Sequence, residues 1–162
     1  MPLGNLSGYV GATGVLIEAQ DGANRYVLVY NNLGSALVNG DCVVLTYKQS
    51  AGGFYPTVTV PATASVAVKI GVVENSIMGK SQIDDATWGW IQMKGYCPAI
   101  TKTTASNPVA VDDYLNATNA VRTVASVTST YDAKTFAVAK SVVGTGAAGT
   151  CTGILLDREA TI

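Results

Sequence analysis

The sequence contains no histidine. That absence removes the Ser-His-Asp and Cys-His nucleophilic systems and every His-ligated metal site, and with them the commonest general base. Charge is scarce as well. Asp, Glu, Lys and Arg make up 13% of the chain, against roughly 25% in an ordinary soluble domain. Ten basic residues face eleven acidic ones, and the Lys and Arg are scattered singly. The basic footprint of a nucleic-acid binder is missing, so no nucleic-acid partner is expected. Cysteine is limited to Cys42, Cys97 and Cys151. None belongs to a CxxC pair and their number is odd, which fits neither a zinc site nor a closed disulfide framework. They read as buried, reduced, small apolar residues. No metal, no cofactor and no enzymatic activity are expected. The N-terminus has no basic segment followed by an apolar one, and no run reaches the roughly 18 apolar residues of a membrane helix. Neither a signal peptide nor a membrane partner is expected, and synthesis in a cytoplasm follows.

What the chain has instead is 48% hydrophobic residues and 17 glycines in 162 positions. Its size suits a single domain, which can bury roughly 70% of its unfolded surface. Short apolar runs rich in β-branched and aromatic residues alternate with Gly, Asn, Asp and Pro. Arg25 to Tyr30, Asp41 to Tyr47, Thr57 to Val60, Val66 to Glu74 and Trp88 to Lys94 read as strands. So do Tyr96 to Thr101, Val109 to Leu115, Val121 to Val127, Thr135 to Ala139 and Cys151 to Leu156. Asn39-Gly40 between two apolar runs predicts a type I′ hairpin turn. No stretch carries convincing helical periodicity. The expected fold is all-β, a barrel or a tulip or sandwich of short antiparallel strands.

Residues 1–14 stand apart. Gly4, Gly8, Gly11 and Gly14 punctuate a segment that also holds Leu3, Leu6, Tyr9 and Val10. Two readings are open, a frayed terminus and an arm that orders on a partner surface. As an arm it would bind through Leu3, Gly4, Leu6, Gly8, Tyr9, Val10 and Gly11, leaving residues 15–162 as one β-rich domain. A weak internal echo also runs through the chain. Gly40-Asp41-Cys42-Val43-Val44-Leu45 is followed by Lys69-Ile70-Gly71-Val72-Val73, and Asp112-Asp113-Tyr114-Leu115 by Thr135-Phe136-Ala137-Val138-Ala139. It marks either a folding unit or a coincidence.

Three motifs bear on chemistry. Glu74 to Ser81 matches the second half of a phosphate-binding loop, but Glu stands where its first Gly belongs and no helix pattern follows. Asp84-Asp85 and Asp112-Asp113 are the only paired carboxylates. Neighbours on a strand point to opposite faces, so they are poorly placed to share a substrate or a metal. Trp88 and Trp90 fall on one face of a strand with Gln92 and Lys94, and Tyr96 lies close by. Core packing, a protein interface and a sugar-stacking platform all remain open for these candidate interface aromatics.

The succession N-G-D-C-V-V-L (39–45), K-I-G-V-V-E (69–74), W-G-W-I-Q-M-K-G-Y-C (88–97), V-A-V-D-D-Y-L (109–115), T-F-A-V-A-K (135–140) and T-G-I-L-L (152–156) resembles the small β-rich head proteins of tailed bacteriophages that decorate or cement the capsid. Asp112-Asp113 stands where that pattern has Gly-Asp. The resemblance implies a β-barrel or β-tulip body, usually a homotrimer, on the outside of the virion where major capsid protein subunits meet. It also implies a terminal arm reaching over capsid proteins. Its function would be mechanical, opposing the internal pressure of packed DNA. The alternative from the same residues is a carbohydrate-binding or receptor-binding fibre-type domain using Trp88, Trp90 and Tyr96.

Overall fold

A computed structural model describes residues 6–7, 18–51, 53–62, 69–102, 108–127, 131–144 and 149–156. Among them are thirteen strands. In chain order they are β1 (Leu6–Ser7), β2 (Glu18–Asp21), β3 (Asn24–Tyr30), β4 (Leu37–Val38), β5 (Cys42–Ser50), β6 (Gly53–Thr59) and β7 (Ile70–Val73). A 3-10 turn (Asn75–Met78) precedes β8 (Gln82–Ile83). Then come β9 (Trp88–Lys102), β10 (Tyr114–Ala117), β11 (Val124–Ser126), β12 (Thr135–Ala139) and β13 (Gly149–Leu155). No α-helix occurs among the described residues, so the all-β expectation holds.

The pairings close into two five-stranded rings that share β9. In the first ring β3, β6, β5, β7 and the front of β9 follow one another back to β3. The second ring runs from the rear of β9 through β11, β10, β12 and β13 back to β9. Every contact is antiparallel except two single-residue parallel closures, Tyr30 opposite Thr57 and Lys102 opposite Val124. The expectation of short antiparallel strands therefore needs two amendments: those parallel closures, and a central strand 15 residues long. The sequence reads β9 as two pieces because of Gly95, which lies inside it at φ +92°.

Strand alternation sorts the side chains. Val27, Val29, Val43, Val58, Val73 and Ile91 fill the first ring, capped by Leu37 and Ile83 from the separate β4–β8 pair. Cys97, Ile100, Leu115, Val124, Ala137, Cys151 and Leu155 fill the second. Cys42, Val44, Ile70 and Val72 point the other way from β5 and β7 and join that second cluster. One apolar cluster thus runs through the second ring and onto the outside of the first, fixing the rings to each other.

The internal echo is a structural repeat. Val38 N–H donates to Asp41 Oδ2 at 3.0 Å and Asp41 N–H returns to Val38 O at 2.9 Å. Ala110 and Asp113 make the same reciprocal pair at 2.8 and 3.3 Å. The residue before each Asp is left-handed, Gly40 at φ +96° and Asp112 at φ +68°. Asp41 O accepts from Val73 N–H while Gly40 N–H donates to Val73 O, and in the same way Asp113 O accepts from Ala139 N–H while Asp112 N–H donates to Ala139 O. Val43 faces Gly71 as Leu115 faces Ala137. Leu37 pairs Ile83 as Val109 pairs Val143. β9 is the last strand of the first unit and the first strand of the second.

Asn39-Gly40 does not close a hairpin. β4 pairs with β8, and Asn39 keeps a negative φ, so only Gly40 is left-handed. A type I′ turn needs both central residues at positive φ. Asn39 is used otherwise: its Oδ1 accepts from Asn75 N–H at 2.9 Å and its Nδ2 donates to Lys80 O at 3.1 Å. A two-residue connection instead joins β2 to β3 at Gly22-Ala23, between the paired Asp21 and Asn24.

If the two Asp turns are equivalent, their left-handed positions should differ in tolerance. Asp112→Gly removes the positive φ of a residue with a side chain and an exposed ion pair to Lys140, so stability should stay within about 1 kcal/mol of wild type. Gly40→Asp puts a Cβ 2.8 Å from Thr101 Oγ1 and should lose about 2 kcal/mol or more. Urea unfolding of both variants checks the asymmetry.

Candidate functional site

The carboxylates that sequence reasoning weighed for a catalytic or metal site are engaged by backbone N–H groups and by neighbouring side chains. Glu74 is buried and caps the 3-10 turn, accepting from Ser76 N–H and from the Ser76 hydroxyl. Gly79 ends that turn left-handed, so the loop-like sequence at 74–81 is a tight turn with an acid at its head. Asp84 accepts from Gln82 Nε2 and Asp85 from Gly34 N–H. Asp113 accepts from Ala110 N–H and from Ser126 Oγ at 2.8 Å. Asp132 accepts from the backbone of Lys134 and Thr135 and from Asn116 Nδ2, and these bonds, led by Lys134 N–H, hold its carboxyl below the usual range. Burial pushes Asp41 the other way, although Arg122 Nη1 lies 3.3 Å from it. Among the described residues no three His, Cys, Asp or Glu side chains gather in a way that could hold a metal.

The surface features that remain are aromatic. Trp88 is 47% and Tyr96 is 53% exposed, whereas Trp90 is buried with Ala19, Tyr26, Leu28 and Ile77. The two indoles do share a face of β9, but that face is covered at Trp90 and open at Trp88. Trp90 belongs to the core and does not complete a platform with Trp88 and Tyr96. Its Nε1 is buried and has no hydrogen-bond partner among the described residues. Trp88 instead meets Tyr30 and Tyr55, with ring centroids 5.5 and 6.4 Å away, and Tyr30 meets Tyr55 at 5.9 Å. The interplanar angles of 62–86° make this an edge-to-face triangle, not a flat tray. Sequence reasoning missed it because Tyr30 meets Trp88 across the β3–β9 pairing and Tyr55 joins them through the β3–β6 closure, contacts between residues far apart in the chain. A second pair, Tyr114 with Tyr131 at 5.5 Å, sits on the other ring.

No protein-family model matches the sequence, and no curated protein matches it. Among solved structures the chain is similar to the N base of the head fiber protein gp8.5 of bacteriophage phi29, at 15% identity and a TM-score of 0.44, covering 82% of this chain and 98% of that one.

Of the N-terminal arm residues, Leu6 is described. Leu6–Ser7 pair with Ala19 and Glu18 on the outer edge of β2. Leu3, Gly4, Gly8, Tyr9, Val10 and Gly11 lie outside the described residues.

Cys42, Cys97 and Cys151 are all buried and free. Cys97 Sγ donates to Ala99 O at 3.3 Å and Cys151 Sγ faces Ile100 O at 3.7 Å. Burial raises all three thiols, and Cys97 is pushed up to about 12. The unfolded chain then ionises these groups from about pH 9, while the folded chain holds them protonated. Stability contributed this way is intact below pH 9 and lost as pH rises toward 12. Native protein should be inert to a thiol reagent at neutral pH, yield three thiols when denatured, and show a falling urea midpoint above pH 9.

Proposed function

We propose that the chain is a structural protein of a tailed-phage virion that binds the outside of the capsid where major capsid protein subunits meet. It stabilises the shell against internal pressure, works without catalysis or a cofactor, and self-associates as a homotrimer. The observation that carries this reading is the Asp-turn-strand unit. It occurs at Val38 to Val43 and again at Ala110 to Leu115 with the same hydrogen bonds, and it is one of the elements on which the likeness to capsid-decorating head proteins rests. Other features agree with it. Carboxylates serve turns, the surface is low in charge, and apolar aromatics stand exposed on both rings. Many identical contacts on one shell sum, so modest affinity per contact suffices.

A second reading is favoured by the Tyr30–Tyr55–Trp88 triangle. Exposed Trp and Tyr rings bind the apolar faces of sugars, and the chain would then be a carbohydrate-binding or receptor-binding domain of a virion fibre.

The two readings part experimentally. Capsid decoration predicts that the protein sediments with capsids of its own phage and raises the temperature at which they lose DNA. Removing residues 1–14 should weaken that attachment at least tenfold while the body melts almost unchanged. Glycan binding predicts quenching of Trp fluorescence by an oligosaccharide, abolished by Trp88→Ala. Failure to sediment with capsids together with such quenching would replace the first reading by the second.

A further inference from the structure

The first ring shows how this fold covers the outer row of its own strands. Tyr26, Gln92, Val72 and Cys42 face one another across β3, β9, β7 and β5, and all four are buried. The second ring provides cover at the Cys42 end. The β10–β11 hairpin reaches across, so that Arg122 O accepts from Cys42 N–H and Ala120 N–H donates to Pro61 O, both at 2.8 Å.

In the repeat, the row equivalent to Tyr26, Gln92, Val72 and Cys42 is Tyr96, Ile154, Val138 and Tyr114. This row is open. Tyr96 is 53% and Ile154 is 39% exposed, Val138 and Tyr114 are half-buried, and exposed Tyr131 extends it. The first ring in turn carries the counterpart of the covering element. Its β5–β6 hairpin holds the place that the β10–β11 hairpin holds in the second ring, and it is longer. Tyr47 and Phe54 near its tip are 49% and 55% exposed.

We propose that the β5–β6 hairpin of one copy docks on the Tyr96–Ile154–Val138–Tyr114 row of a second copy, head to tail, repeating between chains the contact that the two rings make within one chain. The inference rests on the self-association part of the reading above and not on capsid binding. The two patches lie on different rings, so each chain offers one of each. Such a contact is heterologous, and it closes into a small ring of subunits when its rotation allows.

Sedimentation equilibrium of the full chain with two surface variants tests this. Wild type should exceed 16.7 kDa at micromolar concentration. Ile154→Lys and Phe54→Ser should each return the single-chain mass with an unchanged melting temperature. An equimolar mixture of the two should recover twice that mass, because one intact row meets one intact hairpin. A monomeric wild type overturns the inference, even if it still sediments with capsids. Variants that keep the wild-type mass place the contact on another face, and a mixture that stays monomeric makes it isologous; either result overturns it. Should a variant fail to fold, a chain carrying Phe54→Cys and Ile154→Cys decides instead: oxidation should give cross-linked multimers on a non-reducing gel, and single chains alone would overturn it. A head-to-tail oligomer that ignores capsids would overturn the capsid reading and leave this one standing.

Discussion

At Gly95 the backbone of β9 is left-handed, and there is no room for a side chain: a Cβ would lie 2.0 Å from Asn24 Oδ1 and 2.9 Å from Ala23 O. The two-ring arrangement depends on this point. Ahead of it β9 pairs with β3 and β7; behind it the strand pairs with β13 and then touches β11. The register with β3 slips beside it, between Arg25 and Tyr26, as expected where an irregular residue bends a strand and strengthens its twist. Gln92 holds the bend from one side. Its side chain is fully buried, and Nε2 donates to Lys94 O at 3.0 Å and Tyr96 O at 2.8 Å, spanning the glycine. A buried amide bonded on both sides of a left-handed residue favours the bent strand over the straight one, which would strand its donors.

Rings of five strands are narrow, and that limit dictates which residues fill them. The first is lined chiefly by valines. Where strands approach most closely the side chain is lost: a Cβ on Gly71 would meet Met93 Sδ at 2.7 Å and Gln92 O at 3.2 Å, and one on Gly89 would fall within 2.4 Å of Ile83. The second ring obeys the same rule with Gly153, where a Cβ would lie 2.7 Å from Ile100 Cδ1. Buried Cys42, Cys97 and Cys151 belong to this economy of volume. They are small, apolar when protonated, and kept protonated by the burial they provide.

The strands were legible because their β-branched runs act locally, and so was the unit built on Asp41 and Asp113, whose capping bonds span three residues. The closures were not. Tyr30 with Thr57 and Lys102 with Val124 are single contacts between distant segments, and nothing in the intervening turns announces them. The misread at Asn39-Gly40 has the same origin. The dipeptide favours a hairpin locally, but burying Leu37 against Ile83 in the mouth of the first ring draws β4 to β8. Trp90 and Trp88 share a strand face as their spacing requires, yet their exposure differs because Tyr26 and Ala19 cover one and only the rim of the ring reaches the other. Alternation reports the face; burial depends on what lies across it.

Closing the rings also decides how such a chain can associate. A closed ring leaves no long ladder of unpaired N–H and C=O groups, so addition of a strand to either body is suppressed. The free edge of β3 is divided between β2 and the Tyr30 closure, and β2 in turn receives Leu6–Ser7. Leu6–Ser7 thus occupy the outer edge of β2, on the N-terminal side of the first ring. With 13% charged residues, the largest groups offered for side-chain contact among the described residues are the exposed aromatics of the two rings. Aromatic contacts bury large areas at little entropic cost and do not depend on salt. A low-charge double ring with apolar side chains exposed on both halves offers shape and burial for contact more than it offers charge.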